Sequence, residues 1–186
     1  MLRKIISEVT PVCEQEQQDQ IRILHLLDTQ DNLLTRDNTE NHFTVSAWIV
    51  NRNRTKTVMV WHNIYRSWSW CGGHADGDAD FPAVALREAA EETGLRKLRL
   101  VSDRPVSLEI LHVAAHEKRG KPVDAHLHLN LTYLLEADES EPLLVKPDEN
   151  SAVAWVPVEE VVSRSSEPDM RVIYRKLIEK TGKPLS

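Results

Sequence analysis

One segment of this chain marks both of its own ends. Asp80 is a residue type that caps helix amino termini, Pro82 falls in the first turn, and Gly94 is the residue type that follows a last turn. The segment between them, FPAVALREAAEETG (81–94), predicts a helix from near Asp80 to Thr93. On that helix Val84, Ala85 and Ala89 share a side, and such small apolar residues suit close packing against a sheet. The rest of the chain must therefore supply strands.

It does. Residues 43–50 (FTVSAWIV) and 55–62 (TKTVMVWH) read as strands, with Asn51-Arg52-Asn53-Arg54 as a hairpin connection. Further strands are expected at 97–102, 106–114, 126–136 and 151–156, and short helices at 157–164 and 168–181. Residues 14–30 (EQEQQDQIRILHLLDTQ) predict an amphipathic helix outside the main core, with Ile21, Leu24 and Leu27 at helical spacing. The polar stretch 35–41 reads as loop, and 63–80, with Trp68, Trp70, Gly72, Gly73 and Gly77, as an ordered loop. Strands mixed with three or four helices imply an α/β or α+β sandwich and exclude a helical bundle or an all-β barrel.

Composition narrows the function classes. A chain of 186 residues amounts to about one domain plus an appendage. Lys and Arg total 23 against 29 Asp and Glu, a formal charge of −6, which argues against a broad surface for a nucleic acid polymer or an anionic lipid. The two cysteines, Cys13 and Cys71, leave one bridge open but no disulfide framework. No apolar run approaches the ~18 residues of a membrane span. The amino end reads as no signal peptide, so a reducing cytoplasm is expected.

The helix at 81–94 also carries Glu88, Glu91 and Glu92 at i, i+3 and i+4, three carboxylates on one stripe. Like charges at these spacings cost roughly 0.2–0.5 kcal/mol per pair unless a cation stands among them. A hard divalent ion is the natural occupant, since Mg²⁺ takes a few carboxylates together with waters and substrate phosphates. A solvated helix face is the plainer account of the triple taken alone. The preceding Gly72-Gly73-His74-Ala75-Asp76-Gly77 favours the metal, because glycines let backbone groups approach a ligand closely.

From Gly73 to Leu95 the sequence resembles the Nudix box: glycine, five residues, glutamate, seven residues, Arg-Glu, an apolar residue, any residue, Glu-Glu, any residue, glycine, an apolar residue. The match runs through Gly73, Arg87, Glu88, Ala89, Glu91, Glu92, Gly94 and Leu95, and fails at Ala79, where the family has glutamate. The box covers about an eighth of the chain, and the strand order around it is similar to the family's α/β/α sandwich over roughly 40–165. The resemblance implies a Nudix-like α/β/α sandwich with a mixed sheet, residues 39–186, behind an added N-terminal helical extension, residues 1–38.

It further implies Mg²⁺- or Mn²⁺-dependent hydrolysis of the diphosphate in a nucleoside diphosphate linked to another moiety. Glu88, Glu91 and Glu92 would be the metal ligands, with the Gly72 carbonyl, and Arg87 would orient the acidic side chains. The base would come from the box or from a later loop, where Glu149 in Lys146-Pro147-Asp148-Glu149-Asn150 is the candidate. Ala79 is expected to weaken metal binding without abolishing it, its neighbours Asp78 and Asp80 pointing elsewhere.

Several further residues are candidates for the substrate. His126 and His128 alternate with leucines and should face one side of a strand, where a half-exposed face is the bland alternative. His74 and Gly73 lie in the glycine loop, and Tyr65 and Arg66 just before it. Trp61, Trp68 and Trp70 offer faces for a base, against core packing as the plainer role. Cys71 has no base beside it to make a nucleophile. Two rivals stand beside the hydrolase: a Nudix-fold ligand sensor, and an isopentenyl-diphosphate isomerase-like enzyme. The resemblance implies a small diphosphate compound as partner, and the apolar face of the first helix leaves room for a homodimer.

Overall fold

The computed structural model describes residues 2–118 and 120–182. Helices α1 (Leu2–Ser7) and α2 (Glu14–Thr29) lead into strands β1 (Asn41–Val50), β2 (Lys56–His62), β3 (Ser67–Ser69) and β4 (Cys71–His74). Helix α3 (Phe81–Thr93) follows, then β5 (Arg99–Leu100), β6 (Ser107–Val113), β7 (His116–Lys118), β8 (Lys121–Val123), β9 (His126–Glu136) and β10 (Asn150–Pro157). Helices α4 (Val161–Arg164) and α5 (Pro168–Thr181) complete the described chain.

The ends of α3 are where the sequence marks them. The Asp80 carboxylate accepts the Ala83 N–H at 3.2 Å, and Gly94 takes the left-handed conformation at φ 75° and donates its N–H to the Ala90 carbonyl at 2.9 Å. Gly94 is needed twice over, since a Cβ there would lie 2.7 Å from Leu144 Cβ.

The main sheet runs β10-β2-β1-β9-β5, with β3 on β2, β4 on β1 and β6 on β9. It is mixed, because β1 and β9 pair in parallel from Asn41 to Val50 while the other pairs are antiparallel. All of β1 is buried, so its two faces are both covered. Phe43 and Val45 pack with Val84 and Ala85 of α3, and Ala47 and Ile49 with Ala89. On the other face Trp48 and Val50 pack with Tyr174 and Leu177 of α5. Helices on both faces of a mixed sheet give the expected sandwich.

Several local expectations need correction. The 63–80 loop contains β3 and β4. The hairpin strands β1 and β2 meet only at Val50 and Thr57, and β4 pairs with β1 over Thr44–Ala47 instead. Four residues rich in glycine carry no alternation by which a strand could be read. The helix over 14–30 forms as α2, but inside the core: Ile23 and Leu26 are buried with Phe43 and Leu108, whereas Ile21 is 56% exposed. The segments at 97–102 and 157–164 shrink to β5 and α4. The helix α1 and the β7–β8 pair were not anticipated.

Helix α2 has a second job along the outer border of β6. There the Leu108 N–H donates to Glu16 at 3.4 Å and the Ile110 N–H to Asp19 at 2.9 Å. From the other side of the sheet Lys176 donates to the Leu108 carbonyl at 3.2 Å and Lys180 to the Val106 carbonyl at 2.9 Å. The charges satisfy one another: Lys180 stands 2.6 Å from Glu16, and Lys176 2.9 Å from Glu109. Glu109 also accepts from Asn130 at 3.0 Å and Thr132 at 3.2 Å, so its buried carboxylate is fully bonded.

Candidate active site

The acidic helix meets the glycine strand at close range. Gly72 donates its N–H to Glu92 Oε1 at 2.7 Å. A Cβ on Gly73 would lie 2.5 Å from Glu88 Cδ, and one on Gly72 would lie 2.6 Å from the Val45 carbonyl oxygen. Both glycines are thus required by close approach, Gly73 to the carboxylate and Gly72 to the neighbouring strand.

Burial grades the three box glutamates. Glu92 is 4% exposed, Glu88 half-buried and Glu91 exposed. Burial, then the charges of Glu149 and Glu88, push the Glu92 carboxyl up to about 8 against the opposing Gly72 N–H and Lys146. Glu88 is also raised, by burial and by Glu91. Cations touch only part of the group. Lys146 donates to Glu91 at 3.1 Å and pairs with Glu149 at 3.0 Å, while the Arg87 Nε stands 3.8 Å from Glu88. Among the described residues no cation contacts Glu92. Crowded carboxylates whose charged forms are penalised, one of them held on a backbone amide, are oxygen donors of the kind a hard divalent cation takes.

Glu149 reaches this group through Lys146, and its loop is fastened to the site. Asn150 donates to the Glu92 carbonyl at 3.0 Å, and the Asn63 N–H to the Glu149 carbonyl at 3.2 Å. Asn63 opens the β2–β3 turn that carries Arg66, an exposed residue at φ 50°. Arg66 itself meets Ser166, whose hydroxyl donates to its carbonyl at 3.5 Å, and does not join the carboxylates. Ala79 is exposed, and Asp78 beside it approaches Arg87 at 3.4 Å. The expectation that the neighbours of Ala79 point elsewhere is corrected for Asp78, which supplies Arg87 with a carboxylate from the loop.

The glycine loop is held from the amino-terminal side as well. Arg36 makes a two-point ion pair with Asp76 at 2.8 and 2.7 Å, and the Gly77 N–H donates to the Leu34 carbonyl at 2.8 Å.

His74, His126 and His128 come together, and His42 joins them. His42 and His128 are register partners across β1 and β9, and His74 pairs two residues along β1, opposite Thr44. His42 was missed because it stands alone between a polar loop and an apolar strand; the strand spacing of His126 and His128 was the available clue. Cys71 lies in the core with Ala47 and Val60, where burial, then Glu92 and Glu88, keep its thiol well above its ordinary value. It is free, as is Cys13, so no bridge forms between them. Trp70 is buried edge-on against Tyr174, and Trp61 and Trp68 pack edge to face. A depression of about 510 Å³ along Leu86, Ala90, Leu98 and Leu144 lies away from the carboxylates.

A family model of the NUDIX domain matches residues 40–180. The chain belongs to the Nudix hydrolase family. No curated protein matches significantly. Among solved structures, a C. elegans Ap4A hydrolase in a binary complex is similar over 74% of this chain and 95% of its own, at 19% identity and TM-score 0.54. The Nudix hydrolase RenU of M. smegmatis is similar over 78% and 89%, at 16% identity and TM-score 0.56. The NUDIX domain of Shewanella oneidensis NrtR, complexed with ADP ribose, is similar over 84% and 96%, at 16% identity and TM-score 0.54. At these identities the likeness establishes the fold. No described helix is long and apolar enough to cross a membrane.

Proposed function

We propose that this Nudix protein is a Mg²⁺- or Mn²⁺-dependent pyrophosphohydrolase that cuts the diphosphate of a nucleoside diphosphate linked to another moiety. The observation that carries the reading is the buried Glu92 carboxylate on the Gly72 amide, with Glu88 against Gly73 beside it. Packing the two there raises both carboxyls, a cost that a divalent cation would offset. Glu88, Glu91, Glu92 and the Gly72 carbonyl would hold the ion. Bound there, it supplies charge neutralisation between carboxylates and diphosphate, and a lowered pKa for water.

The chain's own groups do the rest. Arg87, between Asp78 and Glu88, keeps the Glu88 carboxylate oriented. Glu149 accepts the proton of the attacking water, and Lys146 holds it facing the box helix. The water attacks in line at one phosphorus and the other phosphate leaves. Gly73, His74, His126, His128 and Arg66 are proposed for the substrate. The Cys71 thiol, buried and protonated, disfavours the isomerase alternative, which needs a cysteine at its alkene.

Phosphate release tests the reading, measured on dinucleoside polyphosphates, ADP-ribose, NADH, nucleotide sugars and nucleoside triphosphates, with and without Mg²⁺. Metal-dependent turnover of one class, abolished by Glu88→Gln, is expected. Binding without turnover would instead make the chain a ligand sensor. Turnover of a prenyl diphosphate without phosphate release would make it an isomerase. Glu149→Gln should lower kcat by about 10²–10⁴ with little change in KM.

A further inference from the structure

Eight histidines occur in the chain, and His42, His74, His116, His126 and His128 gather at one end of the sheet. We infer that His42, His74 and His128 form a binding site for a divalent first-row transition ion of the Zn²⁺ type, with His126 as an adjoining fourth imidazole. One ligand nitrogen from each of the three lies within 4.8 Å of the others. Nitrogens at about 2.0–2.1 Å in a tetrahedral zinc shell stand about 3.4 Å apart. The nitrogens therefore need to draw in by up to about 1.4 Å, within the reach of a change of side-chain torsion.

The hydrogen bonding of the rings points the same way. His42 is 4% exposed; its Nδ1 lies 2.9 Å from the Asn38 carbonyl oxygen, to which it can only donate. That fixes the tautomer with a lone pair on Nε2, and this buried Nε2 has no hydrogen-bond partner. An orphaned acceptor in the interior is costly unless a donor or a cation meets it. His126 likewise donates from Nδ1 to the Asp124 carbonyl at 2.8 Å, and its Nε2 accepts from His128 Nε2 at 3.0 Å. Metal-binding histidines are held in this manner, the far nitrogen donating to a backbone carbonyl.

Ligand imidazoles must be neutral, and two of these rings are held that way. Burial, then His74, His42, His126 and His116, bring His128 down to about 2, and burial lowers His42. Neutral imidazoles offer lone pairs to a metal ion. They suit Zn²⁺, Ni²⁺, Cu²⁺ and Fe²⁺ and are poor ligands for Mg²⁺. The site is thus chemically distinct from the carboxylates, although His74 is only two residues beyond Gly72 on β4. An ion there would fasten β1, β4 and β9 together.

The test uses the full chain, stripped with a chelator and titrated with Zn²⁺ and Co²⁺. In the Glu88→Gln background, which impairs the carboxylate site, one equivalent should bind, with the visible absorption of tetrahedral Co²⁺ and a rise in Tm. His74→Ala and His128→Ala, both at partly exposed positions and checked for folding by circular dichroism, should each weaken Zn²⁺ binding by at least 10-fold. Glu88→Gln should leave it within twofold, which separates this site from the hydrolase reading. Absence of stoichiometric uptake overturns the inference. So does uptake that Glu88→Gln abolishes while the histidine variants retain it.

Discussion

Gly73 and Ala79 show how much a single Cβ decides in this site. At Gly73 a methyl group would stand 2.5 Å from the Glu88 carboxyl carbon, so the carboxylate must move for the side chain to fit. A displacement near 1 Å at reacting groups costs about 10²-fold in rate. Gly73→Ala should therefore lower turnover by about that factor while the fold, followed by circular dichroism, persists. Ala79 is the converse, an exposed position lacking the family's carboxylate, with Asp78 already facing Arg87. Ala79→Glu should tighten Mg²⁺ binding in calorimetry by up to about 10-fold, the scale of supporting shells around metal ligands. An unchanged affinity would show that Asp78 already does the work of the missing glutamate.

Among elements, α2, α5 and β6 are joined by charges that are out of water. Lys176 is 5% exposed, and Glu16 and Glu109 are fully buried. Removing one member of such a group leaves an uncompensated charge, so Lys176→Met should destabilise the chain by about 3–5 kcal/mol in urea denaturation. The exposed Arg3–Asp28 pair is as short, at 2.6 Å, yet its loss should cost no more than about 1 kcal/mol. The elements also show where sequence stops being readable. The α3 helix was legible because cap, apolar side and acidic stripe each have a local cause in its own residues. The strands at 43–50 and 126–136 were legible from apolar runs of β-formers. The strand β4 was not, since Gly72 and Gly73 are there for what approaches them from β1 and α3. Nor was the burial of Glu16, which depends on lysines more than 150 residues away along the chain. The box residues were found as a pattern, but the histidine cluster needed the parallel register of β1 and β9 to bring His42 to His128.

For the whole molecule, the same buried charges set the response to acid. Burial alone would raise the Glu16 carboxyl, but the Lys180 hydrogen bond, the Lys176 charge and the Val12 N–H hold it below its ordinary 4.5. A carboxyl depressed in the folded state contributes stability that is present above the unfolded value and lost as pH falls through the folded one. The urea midpoint should thus decline below pH 4.5, and Glu16→Gln should flatten that decline while lowering the midpoint at neutral pH.

The border of β6 has a practical consequence. The NUDIX match starts at residue 40, which invites trimming the chain there. A protein cut at that point would lose Glu16 and Asp19, baring two amides on a strand margin and leaving two lysine heads facing inward. Open margins recruit strands from other molecules. Such a trimmed protein should precipitate or form fibrils on expression, and the leading helix would prove to be a seal against self-association.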